Sequence, residues 1–212
     1  ILAGDYLLAR SSELAAESLG LESVKLLAST YAQLVEGQTK EVQFSFDTNH
    51  GTDDYLKIIE GKTASLIKTS AKLGAMASGC KQETISSISK WAWHSGIIFQ
   101  ITDDILDLSS DEKTLGKPSG NDIIEGTYTL PVLIALEKYP EKINKILSDV
   151  SENKVGVNEV INEFNNDEII SESKLFLKTH LEKSESAAKE IDNKTVRNIL
   201  LDINTYLIER SN

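Results

Sequence analysis

The run Phe99-Gln100-Ile101-Thr102-Asp103-Asp104-Ile105-Leu106-Asp107 places three carboxylates inside an apolar stretch of helical character. An isolated buried carboxylate is very expensive, so such a cluster calls for cations. At about 3.6 residues per turn, Asp103 and Asp107 stack on one helix face, with Asp104 about 100° round from Asp103. Hard, all-oxygen ligands on such an edge favour Mg²⁺ over softer ions. The alternative is a solvated acidic face, which would set the charges opposite the apolar stripe. Ile101, Ile105, Leu106 and Leu108 instead surround the aspartates, so the cluster is expected to border a buried cavity.

Two lysines are placed to meet an anion on the far side of such a metal. Lys62 follows Gly61 at an apparent helix interruption and precedes Thr63, an arrangement that frees backbone groups and turns the lysine inward. Lys117 lies in a glycine-rich stretch from which it could swing over bound phosphate as a point charge. Either lysine alone reads equally well as an exposed solubilising residue. Gln100, three residues before Asp103, shares its face, either as a neutral group beside the metal or as a core hydrogen-bonding residue. Phe99 reads as packing rather than as a cation–π partner. His50, His94 and His180 are scattered without metal-ligand spacing and read as ordinary residues, and Trp91 and Trp93 read as core. Glu36, Gln38 and Glu41 put polar groups into a helix, and the pattern does not choose between cavity and solvent for them.

The elements that must hold these groups are helices, because apolar residues recur with a period near 3.6 and no run alternates at period 2. Helices are expected over 1–18, closing at Gly20, and over 22–46, with Leu26, Leu27, Tyr31, Leu34 and Val35 turned inward. Others are expected over 53–76, interrupted near Gly61, and over 81–108, which carries the aspartates. Residues 109–126, with Gly116, Pro118, Gly120, Asn121 and Gly126, read as a loop suited to a lid. Helices resume over 130–139, 141–150, 157–164, 168–191 and 195–209, the last of them polar enough to suggest an outer layer. Gly74, Ala75, Ala77, Gly79, Ser95 and Gly96 mark expected close approaches in a bundle around a central cavity, where bundles commonly hold metals.

The 212 residues suffice for one sizeable core, and three prolines favour one helical body and a single domain. A net charge of -11 disfavours nucleic acid, whose phosphates need clustered Lys and Arg. No apolar stretch of about 18 residues exists to span a membrane. The single Cys80, read as an inert helix-end residue, precludes an intramolecular disulfide and, without a signal-like N-terminus, favours a cytoplasmic location. Ile1 already lies inside an amphipathic pattern and the one Met is Met76, so the expectation is a chain truncated at its N-terminus.

Taken in order, Leu2-Ala3-Gly4-Asp5-Tyr6-Leu7-Leu8, Glu36-Gly37-Gln38, Gly61-Lys62-Thr63-Ala64, the aspartate run 99–107, Gly116-Lys117-Pro118-Ser119-Gly120-Asn121-Asp122 and Thr129-Leu130-Pro131 resemble the trans-isoprenyl (polyprenyl) diphosphate synthases over residues 1 to 135. The resemblance implies an all-α isoprenoid-synthase bundle that condenses isopentenyl diphosphate head to tail with an allylic diphosphate, releasing pyrophosphate. Asp103, Asp104 and Asp107 resemble the family's second aspartate-rich motif, which holds Mg²⁺ against the allylic diphosphate. By the same resemblance Lys62 and Lys117 bind that diphosphate. Thr63 and Gln100 then stand near the developing allylic cation, with Phe99 beside the substrate. Ionising the carbon–oxygen bond needs cationic charge on the leaving group, and an apolar cavity shields the carbocation from water.

The family's first aspartate-rich motif and the arginines after it, which normally lie shortly before Leu-Ala-Gly-Asp, are not in this sequence, and Thr127 stands where many members carry Lys. The expected product is a medium- or long-chain polyprenyl diphosphate of the quinone side-chain type. The expected assembly is a homodimer or heterodimer, with peripheral membrane contact for product release compatible with it. Against this stand a short-chain farnesyl or geranylgeranyl synthase, a non-catalytic subunit of a heteromeric synthase, a terpene cyclase-like enzyme, and a helical interaction module whose acidic cluster is decorative.

Overall fold

The structure, a computed structural model, describes residues 1–109 and 120–210, and among these it contains helices and no strand. Helix α1 (Leu2–Leu19) ends at Gly20, whose φ of 73° turns the chain into α2 (Leu21–Gln43). Helix α3 (Thr52–Ile59) runs without a break through a π-turn (Glu60–Ala64) into α4 (Ser65–Ala77). The interruption expected near Gly61 is thus a local widening of one helix, which aims side chains differently from a regular turn. Helix α5 (Gln82–Ser109) carries the aspartates. A short α6 (Asn121–Glu125), flanked by left-handed Gly120 and Gly126, stands where the sequence read as loop. Then follow α7 (Leu130–Lys138), α8 (Pro140–Ser151), α9 (Val157–Val160) with a 3₁₀ turn (Ile161–Glu163), α10 (Asp167–Lys189) and α11 (Lys194–Glu209).

The bundle is built on α5, whose Ile97, Ile98, Ile101 and Ile105 are buried in the main core with Leu130, Ile143, Leu147 and Phe164. The polar composition of α10 suggested an outer layer, but it packs along α5 instead. It buries Ser173, Ser184, Ala187 and Ala188 beside Ile169 and Leu177, and such small residues allow a close approach that hydropathy underrates. A second core gathers Trp91, Ala92, Ala187, Ala188, Ile191 and Leu200, and Trp91 Nε1 donates to the Leu200 carbonyl at 3.2 Å.

Helix α2 also faces inward differently than expected. Its buried residues are Ser23, Thr30 and Gly37, with Thr30 Oγ1 2.6 Å from Thr69 Oγ1, while Leu26, Leu27 and Leu34 are half-buried and Tyr31 and Val35 are exposed. The close approaches to another helix's backbone lie at three glycines. A Cβ on Gly37 would stand 2.7 Å from Lys62 N, one on Gly61 2.7 Å from the Gln33 carbonyl oxygen, and one on Gly96 2.7 Å from Ala64 Cα. Backbone contact therefore stacks α2, the π-turn and α5 in that order. Gly74 has no neighbour within 4 Å of such a Cβ, so no approach occurs there. Among the described residues no helix is long and apolar enough to cross a membrane.

Candidate active site

The glycine crossing of α2 over the π-turn decides where Lys62 goes. Glu41 lies one helical turn beyond Gly37, and Lys62 Nζ donates to its two carboxylate oxygens at 2.7 and 2.8 Å. Gln38 Nε2 braces the same carboxylate at 2.9 Å from the exposed side. Of the three polar α2 residues that the pattern left undecided, Glu41 faces the cavity, and Glu36 and Gln38 are exposed.

Next to this pair a chain of hydrogen bonds crosses between helices. Thr63 Oγ1 donates to Gln100 Oε1 at 2.7 Å, Gln100 Nε2 donates to Asp104 Oδ1 at 2.9 Å, and Tyr55 Oη donates to Asp104 Oδ2 at 2.5 Å. Burial pushes the Asp104 carboxyl up to about 7. The Tyr55 and Gln100 bonds pull the other way, and the nearby charges of Asp122 and Asp103 add to the rise. The Tyr55 hydroxyl is raised well above its ordinary range by burial and by Asp104, so it stays a neutral donor.

These groups border a cavity of about 280 Å³. Six carboxylates line it, those of Glu41, Asp103, Asp104, Asp107, Asp122 and Glu125, together with the one ammonium of Lys62 among the described residues. Thr127, Tyr128 and Thr129 complete the wall that α6 begins, and Ile58 and Ile59 add apolar surface. That wall is pinned by two backbone bonds: Gly120 N donates to the Asp107 carbonyl, and Phe46 N to the Gly126 carbonyl, both at 2.9 Å. Phe46 adopts a left-handed φ of 60°, and its ring lies where a Cβ on Gly126 would be, at 2.6 Å.

The helix geometry read from the sequence divides the three aspartates. Asp104 turns inward and both its oxygens are taken by Tyr55 and Gln100, whereas Asp103 is exposed at the edge of the cavity and Asp107 lines it. Asp103 meets Arg210, whose Nη2 is 3.7 Å away. The guanidinium also stands 5.6 Å from the Phe99 ring centroid, so Phe99 is a cation–π partner, contrary to the packing role expected of it. The donors at this edge are carboxylate oxygens, the chemistry of a hard divalent cation. Among the described residues no three His, Cys, Asp or Glu side chains converge closely enough to hold an ion alone. A Mg²⁺ ion keeps several waters and shares its shell between one or two carboxylates and substrate phosphates.

Lys117 lies outside the described residues. Trp93 stands away from the cavity, with Lys68 Nζ 4.9 Å above its ring. His94 and His180 are not scattered, since their Nδ1 atoms meet at 3.1 Å between α5 and α10. Sequence reasoning missed Tyr55 and Arg210. Tyr55 was findable, because it shares a face with Ile58, Ile59 and Lys62 at helical spacing. Arg210 offered no local signal.

Residues 1–165 match the family model described as polyprenyl synthetase. The chain is 44% identical over 138 residues to nonaprenyl diphosphate synthase of Mycobacterium tuberculosis, covering 65% of this chain and 41% of that protein. It is 32% identical over 209 residues to heptaprenyl diphosphate synthase component 2 of Geobacillus stearothermophilus, covering 98% of this chain and 65% of that one. The crystal structure of heptaprenyl diphosphate synthase from Staphylococcus aureus superposes with a TM-score of 0.90 at 29% identity, over 100% of this chain and 67% of that one. The chain thus spans between 41% and 65% of the length of these curated relatives.

Proposed function

The chain belongs to the polyprenyl synthetase family, and on that premise we propose that the protein carrying it is a prenyltransferase. It condenses isopentenyl diphosphate head to tail with an allylic diphosphate to make a trans-polyprenyl diphosphate. The observation that carries this reading is the juxtaposition, on one cavity, of the carboxylate edge of Asp103 and Asp107 with Lys62 and with the Thr63–Gln100–Asp104–Tyr55 chain.

Asp103 and Asp107 are the residues that would hold Mg²⁺, which when bound supplies charge to the departing diphosphate. Lys62 adds a cation to the same leaving group, and Glu41 keeps its ammonium in place until the anion arrives. Thr63 and Gln100 present oxygens near the carbon that becomes cationic. Asp104 acts on Gln100, holding the amide so that its oxygen faces Thr63. Lys117 belongs to the diphosphate-binding set by the same reading, and Phe99 lies beside the substrate. Thr127 offers a hydroxyl where a lysine would add a third cation. An apolar wall at Ile58 and Ile59 limits water at the reacting carbon.

A medium- or long-chain product is supported by relatives named for nonaprenyl and heptaprenyl products. The chain is one isoprenoid-synthase domain in this reading, acting in the cytoplasm. Its partner surface is the apolar groove between α1 and α2, where Leu8, Leu27, Tyr31 and Val35 gather and where Leu2, Tyr6 and Leu14 are exposed nearby. The groove suits a second subunit, identical or different, and a relative named as component 2 favours a different one. Incubating the intact protein with farnesyl diphosphate, labelled isopentenyl diphosphate and Mg²⁺, then sizing the products, tests the reading. A ladder ending at a defined length is expected. No incorporation by the folded protein, alone or with a candidate partner subunit, would overturn it.

A further inference from the structure

The last helix ends at the mouth of the cavity, and it is placed there with little freedom. Asn204 is 1% exposed and sits in a buried knot: Ser95 Oγ donates to its Oδ1 at 2.7 Å, and its Nδ2 donates to Ser184 Oγ at 3.0 Å. That knot ties α11 to both α5 and α10. One turn later Leu207 and Ile208 pack against the main core. Arg210 follows directly, with its side chain 32% exposed, and lies against Phe99 and Asp103. Those two residues are one turn apart on α5, so a single guanidinium reaches both, 5.6 Å from the ring centroid and 3.7 Å from the carboxylate oxygen.

Asp103 is also the residue most accessible to a cation at the carboxylate edge. Its carboxylate cannot give its full charge to an arginine and a divalent ion together. Lys62 offers no relief, because Glu41 already holds it.

We propose that Arg210 is a built-in counter-ion of Asp103 that an incoming divalent cation must displace, and that the released guanidinium then grips the diphosphate. The proposal rests on Asp103 being a metal ligand. It gives removal of Arg210 two opposite effects, which neither a structural role nor a simple ligand-supporting role produces. Divalent cation binding without diphosphate becomes tighter, because the competitor is gone. Binding of the diphosphate with its cation becomes weaker, because a bidentate donor is gone. An exposed pair of this kind is worth roughly 1.5- to 5-fold in an equilibrium constant, which sets the size of the first effect.

The test uses the intact protein, Mn²⁺ as probe, and calorimetry or electron paramagnetic resonance to count bound ion, first alone and then with inorganic pyrophosphate. Arg210→Gln is expected to tighten Mn²⁺ binding about 1.5- to 5-fold, and to weaken pyrophosphate binding at saturating Mn²⁺ by roughly threefold or more. Arg210→Lys, which keeps the charge, is expected to restore Mn²⁺ affinity close to that of the unaltered protein. Unchanged or weaker Mn²⁺ binding in Arg210→Gln overturns the proposal, provided Asp103→Asn has lost the ion. If Asp103→Asn binds Mn²⁺ like the unaltered protein, the metal-ligand reading of Asp103 itself falls.

Discussion

Tyr55 Oη and Asp104 Oδ2 lie 2.5 Å apart, a hydrogen bond that joins α3 to α5 beside the cavity with both groups buried. Removing one partner of such a bond leaves the other unsatisfied, which costs more than the bond itself contributes. Tyr55→Phe is therefore expected to lower stability by about 1–3 kcal/mol, read from denaturant unfolding. Asp104→Asn in the same background is expected to return part of that loss, because a neutral amide tolerates burial better than a carboxylate. A Tyr55→Phe protein as stable as the original would show that Asp104 does not depend on the phenol.

The glycine crossing yields a sharper packing prediction. Gly37→Ala and Gly61→Ala each put a methyl group 2.7 Å from backbone atoms, which cannot give way as a side chain tip could. Each is expected to cost at least about 1–3 kcal/mol and to weaken pyrophosphate binding by moving Lys62. Gly74→Ala, with open space around it, is expected to be neutral or to stabilise by about 0.5–1 kcal/mol. Thermal unfolding of the three variants side by side checks this, and equal behaviour would contradict the backbone contact.

These glycines also show what was legible in the chain beforehand. Gly61 signals an irregular stretch because helix propensity is local, though that stretch is a π-turn inside one continuous helix rather than a break, and Gly96 signals a close approach because it sits in a small-residue pair. The helices and the aspartate edge were legible for the same reason, since periodicity and i, i+4 spacing are local properties. The inward face of α2 is legible only in part: Leu26, Leu27 and Leu34 are half-buried, but the crossing made of Ser23, Thr30 and Gly37 leaves no apolar trace, and the exposed Tyr31 and Val35 leave a misleading one. The role of α10 was hidden likewise by buried serines and alanines. The meetings of Arg210 with Asp103 and of His94 with His180 are long-range consequences of packing, and no spacing in the sequence encodes them.

The histidine pair predicts how stability varies with pH. Burial, with His94 and Lys183 adding, holds His180 down at about 4, and burial also lowers His94. A histidine lowered on folding binds fewer protons folded than unfolded, so stability is lost as pH falls through about 6.5 towards 4. The buried Asp104, raised to about 7, works in the opposite sense over the same window. The pair is isolated by comparing the protein with His180→Asn. The stability of the original relative to the variant is expected to increase as pH rises from 4 to 6.5. A pH-independent difference would contradict it.

Thr127 lines the cavity with a hydroxyl, and among the described residues Lys62 supplies the one ammonium that lines it beside six carboxylates. Thr127→Lys in the intact protein is expected to tighten pyrophosphate binding in the presence of Mg²⁺ by about tenfold. Lys62→Ala is expected to weaken it by a similar factor. Both follow from calorimetric titration, and a Thr127→Lys protein that binds pyrophosphate no better would show that the wall does not face the anion.

The claim on which the rest depends is that Asp103 holds the cation that drives ionisation of the allylic diphosphate. The most direct test is the initial rate of labelled isopentenyl diphosphate incorporation by the intact protein and by its Asp103→Ala variant, at saturating Mg²⁺ and matched thermal stability. The account predicts a loss of about a thousandfold or more with the fold intact. Turnover by the variant close to that of the original would contradict it.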